Sequence, residues 1–126
     1  MKRIKSFEEA CKYMKYDPVK VLPKVTGMPK HHQEAIIAHA KLVIITEAIN
    51  TQENGGKPWK PDWKNGKWDK YYAWLSLSSG SGLSCGGYVF LGSFSYVGSR
   101  LCFISSDAAV YAGKTFIKLF EQYFCM

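Results

Sequence analysis

One long apolar helix pattern between Pro29 and Asn50 constrains the fold of this chain more than any other feature. The segment reads PKHHQEAIIAHAKLVIITEAIN, and its apolar residues recur at intervals of three and four. One face consists of Ala35, Ala38, Leu42, Ile45 and Ile49, and it is widened by Ile36, Ala40, Val43 and Ile44. Because so broad an apolar surface has to be covered by other elements, the segment predicts the central helix of the domain.

Shorter helices are predicted before and after this one. Ser6 and Glu9 form a capping box at the start of an apolar stripe made by Phe7, Ala10, Cys11 and Met14. Residues 17–18, Asp-Pro, predict one further helical turn. Near the other end, residues 105–107 are typical of a helix N-cap, and a last helix follows with Ala109, Ala112, Phe116, Phe120 and Tyr123 near one face.

From Trp68 onward the apolar period changes to two, which indicates strands. Three strands are predicted, at residues 71–77, 88–96 and 100–104, with SSGSGLSCGGY (residues 78–88) as a long hairpin loop. The sequence therefore predicts one α+β domain over residues 1–126. Its parts are N-terminal helices including one long central helix, a three-stranded antiparallel meander, and a C-terminal helix packed on the sheet.

The motif GLSCG at residues 82–86 matches the G-x-S-x-G pattern of a hydrolase nucleophile elbow, with Ser84 as the nucleophile. An elbow requires a strand, a sharp turn and then a helix, whereas a strand pattern follows here. The three histidines, His31, His32 and His39, all precede the motif, although the hydrolase order needs one after it. The sequence therefore predicts a protein that is not an enzyme.

No metal or cofactor is expected. His32 and His39 are seven residues apart, whereas two ligands on one helix are four apart. The four cysteines include no C-x-x-C pair and no zinc spacing, so free thiols in a reducing cytosol are expected. No signal peptide and no membrane-spanning apolar stretch is recognisable, which predicts a cytoplasmic protein without a membrane partner.

Charge is concentrated in the first part of the chain. Residues 1–70 carry 14 Lys and Arg against 8 Asp and Glu, whereas residues 71–126 carry 3 against 2. Such a basic half favours an acidic partner, although scattered lysines also serve solubility alone.

The segment KPWKPDWKNGKWDKYYAW at residues 57–74 alternates lysines with aromatic rings. Lysines neutralise phosphates and flat rings stack on bases, which favours a nucleic acid or a nucleotide as ligand. The alternative is a loop whose tryptophans fill the core while its lysines face water. The candidate ligand-binding residues here are Trp59, Trp63, Lys64, Lys67, Tyr72 and Trp74.

Arg100 is the single charged residue between Tyr71 and Ser106. A guanidinium binds phosphate or carboxylate in a fork and stacks on rings, so Arg100 is predicted to anchor an anionic ligand. The alternatives are a structural ion pair with Asp107 or another acid, and an exposed charge on an edge strand.

Three strings resemble a family of small uncharacterised proteins encoded by phages, prophages and mobile elements of gut bacteria. They are GMPKHHQEAIIAHAKLVIITEAIN, WKPDWKNGKWDKYYAWLSLSSGSGLSC and VGSRLCFISSDAAVYAGKTF, and the resemblance covers residues 5–124. It implies no catalytic residues. It implies a small accessory protein that inhibits a host protein, handles nucleic acid or sequesters a defence nucleotide.

These observations together favour a non-catalytic binder of a nucleotide-like anion, either nucleic acid or a small signalling nucleotide held as a counter-defence sponge. The alternative is a module that docks an exposed aromatic patch on a host protein. A homo-oligomer is compatible with either function.

Overall fold

The computed structural model describes residues 2–62, 70–78, 82–91 and 100–125. Along these residues the order is two helices, two strands and two helices. The helices are α1 (Phe7–Met14), α2 (Lys30–Glu53), α3 (Ser106–Thr115) and α4 (Ile117–Phe124), and the strands are β1 (Lys70–Ser78) and β2 (Gly82–Leu91). This order confirms the predicted α+β class with one long helix.

The ends of α1 follow from its capping residues. Ser6 has extended backbone angles, and its hydroxyl accepts a hydrogen bond of 3.1 Å from the Glu9 backbone N–H, as predicted. At the other end Lys15 adopts the left-handed conformation, with a φ of 62°. Its backbone N–H bonds back to carbonyls of the last helical turn, which ends the helix.

The connection between α1 and α2 has an inner apolar side and an outer polar side. The turn predicted at residues 17–18 forms, but it is not an α-helix. Instead the Asp17 carboxylate accepts hydrogen bonds from the backbone N–H groups of Val19 and Lys20 and so holds a tight turn. Val21 and Leu22 then pack against the core.

The long helix α2 extends beyond the predicted end near Asn50 and finishes at Glu53. Gly55 and Gly56 follow with φ values of 70° and 88°, a conformation that side chains disfavour, so the helix cannot continue. Most of its buried residues lie in its second half. Four members of the predicted face lie in the core: Ala38 in the first half, and Leu42, Ile45 and Ile49 in the second.

Strands β1 and β2 form an antiparallel hairpin whose register runs from Lys70 opposite Leu91 to Ser78 opposite Gly82. The register shifts between Trp74 and Leu75, which marks a β-bulge. The predicted loop at residues 78–88 is therefore wrong over most of its length, because β2 already begins at Gly82. Main-chain hydrogen bonding to β1 makes this stretch a strand, although its glycines and serines alone do not predict one. The predicted strand at residues 88–96 lies outside the described residues after Leu91.

The predicted three-stranded meander is not shown by the described residues, whose sheet has two strands. In the segment 100–104 a single residue, Phe103, pairs with β1, and its N–H donates to the Tyr71 carbonyl at 2.8 Å. The other edge of this segment is occupied by the Asn50 side chain. Its Nδ2 donates to the Cys102 carbonyl at 2.8 Å, and its Oδ1 accepts from the Ile104 N–H at 2.9 Å. A side-chain amide thus takes the place of a neighbouring strand.

The last helix was expected to be continuous, but it is divided into α3 and α4. Ser105 caps α3 by accepting a hydrogen bond of 3.1 Å from the Ala108 N–H. The break falls at Phe116, which is buried and ends α3 with a hydrogen bond to the Ala112 carbonyl. The break lets α3 pack on both strands of the hairpin while α4 packs mainly on α2.

Helix α3 approaches the hairpin most closely at Gly113. A methyl group placed on Gly113 would lie 2.5 Å from the Cys85 sulfur and 2.9 Å from the Ala73 β-carbon. Both distances are shorter than van der Waals contact, so only glycine allows this spacing between the helix and the sheet.

The Asn50→Ala substitution tests the role of the amide clamp. It leaves a buried carbonyl and a partly buried N–H without partners, so we expect a loss of about 2–4 kcal/mol in the free energy of unfolding. Urea denaturation measures it. Asn54→Ala is the matched control, because Asn54 also donates through its side-chain amide, to the Lys57 and Pro58 carbonyls, but at an exposed site. Equal losses in the two variants would contradict the clamp.

The Gly113→Ala substitution tests the contact between α3 and the hairpin. Overpacking of this kind costs about 1–3 kcal/mol, and we expect that loss in thermal unfolding. Gly27→Ala is the control, because nothing lies within 4 Å of a methyl group at that position. A Gly113→Ala protein as stable as the wild type would show that the helix is not held at this distance.

Candidate functional site

The outward face of β1 carries two of the predicted ligand-binding side chains. Residues along a strand alternate between faces, so Ala73 points towards α3 while Tyr72 and Trp74 share the opposite face. Trp74 is 54% exposed. A methyl group at Gly86 would lie 3.4 Å from Cδ1 of Trp74, so the indole lies beside a residue without a side chain. This leaves much of the ring open to solvent.

Arg100 belongs to the segment that joins β1 at an isolated bridge. Segment 100–103 runs antiparallel to β1 at the bridge between Tyr71 and Phe103, three residues after Arg100. A hydrogen bond between the Tyr72 side chain and the Cys102 thiol is a second contact between this segment and β1. Arg100 is exposed. We call Tyr72, Trp74 and Arg100 the hairpin site.

The alternative role of Arg100 as an ion-pair partner of Asp107 is wrong, because the Asp107 carboxylate binds Arg3. Within the described parts of the chain, no carboxylate lies at ion-pair distance from Arg100. Arg3 also contacts Glu53 at 3.3 Å, and its guanidinium lies 4.5 Å from the centre of the Tyr111 ring. Arg3 thus fastens the N-terminal segment to α2 and α3. The hydrogen bond to Asp107 raises the pKa of Arg3.

Beside the hairpin site, on the same face of β1 as Tyr72, lies a buried charged group whose burial sequence reasoning missed. Lys70 is fully buried at the start of β1, although the sequence pattern placed it among lysines available to a phosphate. Its charge acts on the Cys102 thiol, which is also buried. Burial raises the pKa of Cys102 to about 11, and the nearby Lys70 and Tyr72 only partly oppose that shift. Strand alternation predicts that Lys70 lies on the same face of β1 as Tyr72, but it does not predict that Lys70 is buried.

The other predicted ligand-binding residues are placed differently. Trp59 is half-buried in the segment after α2, where Asn54 binds the backbone carbonyls of Lys57 and Pro58. Trp63, Lys64 and Lys67 lie outside the described residues. Of the predicted set, Tyr72 and Trp74 share one face of β1, and Arg100 belongs to the segment bridged to that strand.

Other chemistry has little support in the described residues. Ser84 pairs with Ser76 inside the β1–β2 ladder, which is not the strand-to-helix turn that a nucleophile elbow requires. Among the described side chains, no group of three or more His, Cys, Asp and Glu is placed to hold a metal ion. None of the described helices combines the length and apolar character needed to cross a membrane.

An open groove of about 350 Å³ lies between α2, α4 and the connection that precedes α2. Its charged lining residues are Glu34 and Lys41, with amides from Gln33 and Gln122. One positive and one negative group offset each other, so this groove favours an anion less than the hairpin site does.

Comparisons with family models, with curated proteins and with solved structures find no match to this chain. The resemblance to phage and prophage proteins therefore stays a prediction.

Thiol reactivity tests the burial of Cys102. At pH 7 we expect iodoacetamide to label Cys102 in the folded protein much more slowly than Cys85 and Cys125, which are half-buried. The pKa of Cys102 in the folded protein, about 11, lies above the ordinary thiol value of roughly 8.5. The contribution of this thiol to the stability of the folded protein is therefore fully present below pH ~8.5 and is lost as the pH rises through about 11. Peptide mass spectrometry gives the labelling rates, and equal rates for Cys102 and Cys85 would refute the burial.

Proposed function

We propose that this protein is a non-catalytic binder of a nucleotide-like anion, and that the ligand docks at the hairpin site. One observation carries the proposal: a half-exposed indole on β1 and an exposed guanidinium without a carboxylate partner among the described residues belong to segments that are bridged to each other. Trp74 offers a flat ring on which a base can stack. Arg100 offers a fork of N–H donors that fits a phosphate.

The charges around the hairpin site support an anion as the ligand. Strands β1 and β2 contain no carboxylate in their sequences, KYYAWLSLS and GLSCGGYVFL. The Asp107 carboxylate, which the sequence offered as a partner for Arg100, is bound to Arg3 instead. A phosphate beside Arg100 would therefore be attracted by the guanidinium, with no carboxylate in either strand to repel it.

The ligand class follows from the chemistry of the two groups. Stacking on Trp74 requires a base whose flat face is free, as in a small signalling nucleotide or an unpaired base of a single strand. Trp59, Trp63, Lys64 and Lys67 remain proposed contributors from the lysine-rich segment. A counter-defence sponge encoded by a phage is the setting that the sequence resemblance suggests.

A second function, docking on a host protein, is favoured by another observation. Two large aromatic side chains of the hairpin are exposed, Trp74 at 54% and Tyr88 at 46%. Exposed aromatic residues are enriched at protein interfaces. Tyr88 pairs with Ala73 across the two strands and therefore shares its face, whereas Trp74 lies on the other face. A protein partner that contacts both rings would have to wrap around the edge of the hairpin.

Substitutions at the hairpin site separate the two functions. With a fluorescent adenine nucleotide or a labelled single-stranded oligonucleotide as probe, we expect Trp74→Ala to weaken binding by about 1–3 kcal/mol. Arg100→Ala should cost about 1.5–3 kcal/mol. Arg100→Lys should restore only part of the loss, because an ammonium lacks the fork. Fluorescence anisotropy measures all three.

The matched controls are Tyr88→Ala for the aromatic ring and Lys114→Ala for the charge, since both side chains are exposed outside the hairpin site. Both should bind the probe as the wild type does. Loss of binding in Tyr88→Ala equal to that in Trp74→Ala would favour a docking surface that includes both rings. Wild-type affinity in Arg100→Ala would refute the hairpin site as the anion anchor.

A further inference from the structure

A second cationic surface lies far along the chain from the hairpin site, in the connection before α2. We define the basic strap as residues 15–30, KYDPVKVLPKVTGMPK. Its four lysines are all exposed: Lys15, Lys20, Lys24 and Lys30. None of them belongs to the proposed nucleotide site.

The basic strap is held along α2 by contacts at both of its ends. The Tyr16 hydroxyl donates a hydrogen bond of 2.8 Å to Glu47, and near the other end Gln33 donates to the Met28 carbonyl at 2.9 Å. Glu47 and Gln33 are fourteen residues apart on α2, which corresponds to about 21 Å along the helix axis at ~1.5 Å per residue. The strap therefore presents its lysines along an elongated surface of fixed path.

The sidedness of the basic strap follows from its apolar residues. Val21 and Leu22 pack against the core, and Val25 lines the groove beside α2. The neighbouring Lys20 and the intervening Lys24 are both exposed to solvent.

The basic strap carries four lysines against one carboxylate, Asp17, and so has an excess of positive charge. Its own carboxylate, Asp17, accepts hydrogen bonds from the Val19 and Lys20 backbone, and Glu47 accepts one from Tyr16. Across the described residues, no carboxylate lies at ion-pair distance from any of the four lysines, whereas Arg3 is held by two. The four lysines of the strap are therefore exposed and make no ion pair with a described carboxylate.

We infer that the basic strap binds the sugar-phosphate backbone of duplex nucleic acid, without reading its sequence. A duplex carries one phosphate per ~3.4 Å on each strand, so about 21 Å of strap faces about six phosphates of one strand. The aromatic ring of the strap, Tyr16, is engaged with Glu47, so the strap offers phosphate contacts rather than base stacking. Contacts of this kind do not require unpaired bases, so a duplex can bind.

An anionic membrane surface fits the basic strap less well. Its exposed apolar side chains, Val19 and Met28, are separated along the chain by Lys20 and Lys24. Membrane-surface segments instead gather their apolar residues on one continuous face that inserts below the headgroups. Single exposed apolar side chains are ordinary on protein surfaces.

The salt dependence of duplex binding tests this inference. The probe is a fluorescein-labelled duplex DNA of arbitrary sequence, titrated by anisotropy between about 50 and 200 mM salt. We expect the slope of log affinity against log salt to fall by about 2 in the double variant Lys20→Gln/Lys24→Gln, because each lost phosphate contact removes about 0.9. Lys114→Gln/Lys118→Gln is the matched control, since it removes the same charge from two exposed lysines with the same spacing, and its slope should not change.

Further arms of the experiment keep the outcome unambiguous. Lys20→Arg/Lys24→Arg should keep the wild-type slope, and all variants are compared by thermal melting. Equal slopes for the two glutamine pairs, or no binding of the duplex at the lowest salt, would overturn the inference. So would vesicles of phosphatidylserine and phosphatidylcholine that bind through Lys20 and Lys24 when duplex DNA does not. Trp74→Ala should leave duplex binding intact, so a failed hairpin site and a failed strap give different results.

Discussion

The side-chain amide of Asn50 is the interaction on which the arrangement of the molecule depends. It joins the central helix to segment 102–104 by binding the Cys102 carbonyl and the Ile104 N–H. That segment meets β1 through the Phe103 N–H, and α3 begins directly after it. One buried amide therefore sets how α2, the hairpin and α3 lie relative to one another. Because both of its bonds satisfy backbone groups, an apolar residue of similar size cannot replace it.

The hairpin has two faces with different roles because α3 covers only one of them. An isolated hairpin is marginally stable in water, so its inner face needs the packing that Gly113 allows against Ala73 and Cys85. The outer face is buried at Lys70 and exposed at Trp74, and segment 100–103 joins the same strand at the bridge to Tyr71. The same packing that stabilises the hairpin thus creates the side on which a nucleotide-like anion is proposed to bind.

Much of the fold was predictable where local pattern and tertiary packing agree. The helical spacing of Ala38, Leu42 and Ile45 predicted the buried face of α2, and the Ser6 cap predicted the start of α1. The wrong predictions arose where the residue types of a segment indicate its secondary structure only weakly or fit two kinds of structure. The glycines and serines of 82–88 indicate a loop in isolation, but main-chain pairing with β1 makes them a strand. In segment 100–104, which the sequence predicts as a strand, Phe103 alone bridges to β1, and a side-chain amide occupies the other edge.

By itself the sequence determined the α+β class, the central helix, the hairpin aromatics and the uneven charge, because these follow from residue type and short-range period. Tertiary structure alone decided what each charge does. It placed Arg3 between two carboxylates, buried Lys70 completely and left Arg100 exposed, although all three are cations in one sequence. The physical reason is that burial and ion pairing depend on which groups meet across many residues of chain. The spacing of a charge within its own segment carries no such information.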